Sequence, residues 1–193
     1  MEQEMTQKNA IRIELPAWIE ALLATRETGD LDDTGRMALV LDLARENIRA
    51  GADGPFSAAI FERRSGRLIA AGVNRVVSSG CSIAHAEMVA IGIAQQRLGS
   101  FDLRQAVPGG CVLFTSAEPC AMCMGAIPWS GIERVVIGAR DSDVRAIGFD
   151  EGHKPADWIA GYAQRGIEVT RDLLRAESAQ ILWDYAQAGG AIY

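Results

Sequence analysis

His85 and Glu87 stand two residues apart in the stretch Gly80-Cys81-Ser82-Ile83-Ala84-His85-Ala86-Glu87-Met88, and His85 is one of only 2 histidines in the chain. Further along, Cys120 and Cys123 form a Cys-x-x-Cys pair directly after Pro119. Each group falls where a loop gives way to a helical pattern, with His85 early in one helix and the cysteines in the first turn of another. Side chains three apart share a helical face, so both sulfurs can reach one metal ion, and the positive helix end favours thiolate. One imidazole and two thiolates suit Zn2+. A catalytic zinc leaves its fourth position to a water whose pKa falls to about 7. Glu87 can sit beside that position without binding the metal, take the water's proton and hand it to a substrate.

Two blander chemistries use some of the same residues. Cys120 and Cys123 alone could form a redox pair, which leaves His85 and Glu87 without a role. Cys81, four residues before His85, could close a purely structural zinc site and make the domain a binding module. Ser82 is the better helix cap at that point, which argues against Cys81 continuing the helix. Cys111 opens an apolar run and reads as a small core residue, and His153 follows a glycine in a surface loop.

The elements that must carry these residues follow from periodicity. Residues 1 to 13 are polar and read as loosely ordered, and Pro16 can open a helix, "PAWIEALLATR", that ends before Thr28-Gly29-Asp30. Residues 33 to 50 carry Met37, Val40, Leu41, Ala44 and Ile48 at helical spacing, with Asp33 or Thr34 as cap and Gly51 as stop. Residues 56 to 73 read as a hairpin turning at Arg64-Ser65-Gly66. A helix over Ala84 to Leu98 turns Met88, Ile91 and Leu98 inward. It is followed by the buried strand "CVLFTS", a helix opened by Pro119, and the buried strand "RVVIGA". Beyond Asp141 come a loop through Gly152, a helix over 155 to 164, a strand near 167 to 170, and a final helix "RAESAQILWDYAQ". This order predicts an α/β fold in three α/β/α layers around a mixed five-stranded sheet. Residues 1–32 form an N-terminal extension and 33–193 the main domain.

Composition narrows the setting. A chain of 193 residues, 49% hydrophobic, suits one core. No apolar stretch approaches the ~20 residues of a membrane span, and the charged N-terminal segment does not resemble a signal peptide, so a cytoplasmic location is expected. With a net charge of −6 and dispersed Lys and Arg, neither a nucleic-acid nor a membrane partner is expected.

His-Ala-Glu followed by Pro-Cys-x-x-Cys is the pattern of the zinc-dependent nucleobase and nucleoside deaminases. The chain resembles that cytidine/deoxycytidylate deaminase superfamily and, from Gly54 to Tyr193, is most similar to its bacterial guanine deaminases. The matching stretches are "GPFSAAI", "GVN", "AHAE", "LFTSAEPCAMCMGAI" and "GFDE" at residues 148–151, and the chain ends in Tyr193. The resemblance implies a zinc aminohydrolase acting on a small nucleobase, guanine to xanthine and ammonia, with His85, Cys120 and Cys123 as zinc ligands and Glu87 as proton shuttle. It further implies that Asn74 hydrogen-bonds the purine and that Glu151 contacts the base and assists proton transfer. Tyr193 would close the pocket, often from the partner subunit of a swapped homodimer. Phe56 and Trp129 are candidates to pack against the flat ring, and Ala86 joins them as a substrate contact. Many guanine deaminases carry Asp where this chain has Glu151, which keeps other aminated rings, a triazine such as ammeline or cytosine, open as substrates. The tRNA adenosine deaminases share related segments.

Overall fold

The computed structural model describes residues 10–26, 28, 29, 31–51 and 53–193; most of the N-terminal segment read as loosely ordered lies outside them. The sheet grows from the hairpin, β1 (Ser57–Glu62) against β2 (Leu68–Val73), turning at Gly66 with φ 73°. β3 (Cys111–Ala117) pairs antiparallel with β1, and β4 (Arg134–Ala139) and β5 (Glu168–Thr170) add in parallel, giving the order β2-β1-β3-β4-β5. The mixed five-stranded sheet is as expected. All seven residues of β3 are buried, as a central strand covered on both faces requires.

The two faces separate by strand alternation. Ala58, Ile60, Leu113, Val135 and Ile137 face a core shared with α4 (Ala86–Leu98), α6 (Ala121–Ser130) and α8 (Trp158–Gln164). Ala59, Phe61, Phe114 and Val136 face α1 (Trp18–Ala24), α2 (Asp33–Arg49) and α9 (Arg175–Gln187). The chain therefore forms three layers, and α1 packs Ile19 into the second core.

Local differences have local causes. Asp32 caps α2, accepting from the Gly35 N–H at 2.8 Å, while Asp33 falls inside the first turn and pairs with Arg134. Short helices also form at α3 (Val76–Ser79) and α5 (Leu103–Ala106). Where the sequence predicts a loop after Asp141, α7 (Asp141–Ala146) forms, the Arg140 N–H donating to Asp143 at 2.8 Å and Arg175 gripping Asp143 at 2.8 Å. α8 begins at Trp158 rather than 155.

The starts of α4 and α6 matter most. Ser82 does not cap α4. A turn closed by the Ala84 N–H on the Cys81 carbonyl (3.0 Å) intervenes, and His85 takes the N-cap position. Cys120 likewise takes the N-cap of α6, one residue after Pro119. Neither side chain makes a capping hydrogen bond, although both residues have extended backbone there.

Candidate active site

The two uncapped helix starts face one another. The His85 Nδ1 lies 3.4 Å from the Cys120 sulfur, and His85, Cys120 and Cys123 present ligand atoms all within 4.8 Å of one another. Cys81, half-buried and free, is not a member of this group. Glu87, in the first turn of α4 and 6% exposed, brings its Oε2 to 3.5 Å from the Cys123 sulfur.

The electrostatics fit a cation. The hydrogen bond from Cys123 pulls the Cys120 thiol down to about 4 against the opposing effect of burial, with His85 assisting, so a thiolate stands there at neutral pH. Cys123 is pushed up, first by the proton it shares with Cys120 and then by burial. Burial opposes protonation of His85, but Cys120 outweighs it and the net shift is upward. Burial, then the Cys120 charge, raises Glu87. A buried cluster of an imidazole, a thiolate, a thiol and a carboxyl is one that a divalent cation would neutralise, displacing the protons. The donor set and the three-ligand count match a zinc site with one position open.

Next to the cluster is a cavity of about 270 Å³. His85, Glu87 and Cys120 form one wall, and Asn74, Glu151, Phe56 and Tyr193 complete it. Asn74 is buried, and its Oδ1 accepts from the Val76 N–H at 3.1 Å and from the Tyr193 hydroxyl at 2.6 Å. Its amide NH2 is therefore the end left for a ligand. Glu151 sits in the loop after α7, where its carbonyl accepts from the Ala121 N–H at 3.0 Å. Burial pushes its carboxyl up to about 7, against the pull of Lys154.

Tyr193 reaches this cavity within its own chain, and Phe149 packs edge-on to both Tyr193 and Phe56, with centroids at 5.3 and 5.0 Å. Two of the expected contacts do not bring a side chain to this wall. Trp129 is 79% exposed and lies in the last turn of α6, nine positions and so roughly 13 Å along the axis from Cys120, so it is not part of the wall. Ala86 is fully buried with its methyl in the core; it can offer a ligand only its backbone N–H, one of those a helix start leaves without an intrahelical acceptor. His153 is exposed and Cys111 buried in β3.

Sequence reasoning passed over several residues. Glu118 and Phe149 both line the cavity and lie inside stretches quoted for their neighbours. Asn47, fully inside α2, donates to the carbonyls of Gly54 (2.9 Å) and Asn74 (3.1 Å), tying both site loops to that helix. Lys154 is buried among carboxylates. A buried asparagine within an apolar helical stripe was the one available signal.

Comparisons with known proteins identify the family and the fold. The sequence model of the cytidine and deoxycytidylate deaminase zinc-binding region matches residues 32–139. The guanine deaminase of Bacillus subtilis is 42% identical over 109 residues, 56% of this chain and 65% of that protein, so the alignment spans just under two thirds of the relative. The crystal structure of NE0047 with 2,6-diaminopurine superposes with a TM-score of 0.88 at 48% identity, covering 95% of this chain and 96% of that one; a variant of NE0047 has been solved with 8-azaguanine. A structure described as guanine deaminase from Nitrosomonas europaea gives a TM-score of 0.86 at 47% identity, covering 92% and 97%. On the matched region, the shared fold and the His85, Cys120 and Cys123 cluster, the chain belongs to the cytidine and deoxycytidylate deaminase zinc-binding family.

Proposed function

We propose that the protein is a zinc-dependent aminohydrolase that converts guanine to xanthine and ammonia. One observation carries this: a single cavity joins the His85, Cys120 and Cys123 group to two carboxyls, Glu87 and Glu151, and to an amide, Asn74, whose free end is a donor. The guanine deaminases among its relatives support the choice of base.

Zinc, held by His85 Nδ1 and the sulfurs of Cys120 and Cys123, would acidify a water and so supply the nucleophile at neutral pH. Glu87, 3.5 Å from the Cys123 sulfur, would take one proton as water adds at the amine-bearing C2 and give it to a ring nitrogen; as the adduct collapses it would carry the new hydroxyl's proton to the amine, so that ammonia leaves and the C2 carbonyl forms. Burial, which raises its affinity for protons, suits a group that must hold one between transfers. Asn74 donates its NH2 to a ring acceptor, because its oxygen is already engaged. Glu151, titrating near neutrality, can accept from a ring N–H or give a proton back. Phe56 and Phe149 supply an apolar wall for the flat ring, and Tyr193 closes the cavity.

We place the enzyme in the cytoplasm as a homodimer. Among the described residues no helix is long and apolar enough to cross a membrane, and exposed Phe101 and Trp129 offer apolar surface that a second copy would cover. Sedimentation tests the dimer. The direct functional test is ammonia release by the zinc-loaded protein from a panel of guanine, ammeline, cytosine, cytidine and adenine; activity confined to another base overturns the substrate.

A further inference from the structure

Lys154 follows Glu151 by three residues, and its side chain is only 7% exposed. A buried ammonium needs acceptors around it. It finds the Pro119 carbonyl at 3.2 Å, Glu151 Oε2 at 3.3 Å, Glu118 Oε1 at 3.4 Å, and the Asp141 carboxylate at the first turn of α7. Glu118 and Glu151 line the cavity, whereas Lys154 and Asp141 stand behind it. The lysine thus holds one oxygen of Glu151 from the rear and leaves the other for the cavity.

Among the described residues, the other bonds hold this loop through its backbone and the Asp150 side chain. The Ala121 N–H reaches the Glu151 carbonyl at 3.0 Å, and Arg145 reaches the Gly152 carbonyl at 2.6 Å. They set where the Glu151 side chain starts, not where its carboxylate ends. Among the described residues, Lys154 alone contacts both that carboxylate and Pro119, the residue before Cys120.

We propose that Lys154 is a positioning residue that ties the Glu151 carboxylate to the segment carrying Cys120, holding the acid's free oxygen in register with the metal-side wall. This rests on Glu151 being a substrate contact, as in the function proposed above. A lysine serving only as countercharge to three acids would stabilise the fold whether or not Glu151 kept its carboxylate, and that difference can be measured.

Zinc-loaded wild type, Lys154→Met, Glu151→Gln and the double variant are compared for 8-azaguanine affinity by calorimetry, kcat/KM on guanine, and zinc content. Lys154→Met is expected to keep its zinc, to weaken 8-azaguanine about tenfold and to lower kcat/KM at least as much, as expected for coupled neighbours. In the Glu151→Gln background the same replacement is expected to change affinity less than about twofold. An equal loss in both backgrounds, an unaffected Lys154→Met, or loss of zinc overturns the proposal. If Lys154→Met does not fold, Asp141→Asn, which loosens the lysine from outside the cavity, takes its place under the same criteria. A wild type that binds 8-azaguanine but releases no ammonia from guanine defeats the function proposed above, while the affinity cycle still decides the role of Lys154.

Discussion

Gly72 lies in β2 directly beneath the start of α4, and a methyl group built there would stand 2.6 Å from the Ala90 nitrogen and closer still to the Ala86 carbonyl oxygen. Both are backbone atoms of the helix that begins at His85 and carries Glu87 in its first turn. No rotamer change can relieve such a contact, so in Gly72→Ala the helix must withdraw by about 1 Å to regain ordinary van der Waals separation. Overpacking of this kind costs typically 1–3 kcal/mol, roughly 2–12 °C in Tm for a domain of this size. Its effect on activity is expected to be larger, because His85 and Glu87 move with α4 while Cys120 and Cys123 stay on α6, and a 1 Å misplacement can cost about 100-fold in rate. Thermal melts, zinc titration and kcat on guanine are the assays. A Gly72→Ala protein with wild-type kcat and zinc affinity would refute the claim that close approach of β2 and α4 sets the site, whatever its Tm.

Glu87→Gln should retain zinc yet lose about 10²–10⁴-fold in kcat; activity near wild type rules out the shuttle. Tyr193→Phe removes the 2.6 Å hydrogen bond to Asn74 and frees the amide to reorient, so KM for guanine should rise about fivefold, one neutral hydrogen bond's worth; an unchanged KM means the tail does not orient Asn74. In metal-free protein burial raises Glu151 from its ordinary 4.5 to about 7, so the folded chain holds a proton that the unfolded chain has released. The stability this contributes is full below about 4.5 and is lost as pH rises through about 7. Glu151→Gln, which cannot titrate, should therefore gain on wild type between pH 4.5 and pH 8 by on the order of 1–3 kcal/mol, read from melts in chelator; a pH-independent difference contradicts the shift. Cys81→Ala should keep both metal and fold, and loss of either would favour a closed structural zinc.

The metal group and its neighbouring acid were legible because ligand spacing on a helix is a local property: three residues within α6, two at the start of α4. The sheet was legible for a related reason, since an uninterrupted apolar run such as "CVLFTS" has few places to go but a central strand. α7 is not legible because its six residues, "DSDVRA", are mostly polar and gain their order from Arg140 and from Arg175 on a distant helix. Trp129 sits on the cysteine-bearing helix, but helical rise carries it beyond the cavity wall, and a linear pattern does not show that distance. Lys154 left no trace in the pattern: one charged residue in a loop looks solvated until the fold closes three carboxylates around it.

His85 and Cys120 occupy N-cap positions without capping. A Ser, Asp or Asn at such a position typically adds about 1 kcal/mol to a helix, so the chain forgoes that stability twice in order to aim an imidazole and a thiolate at the same point. Selection for thermal stability alone would accordingly erode this site from its backbone outward: substitutions to helix-capping residues there would harden the metal-free fold while silencing it.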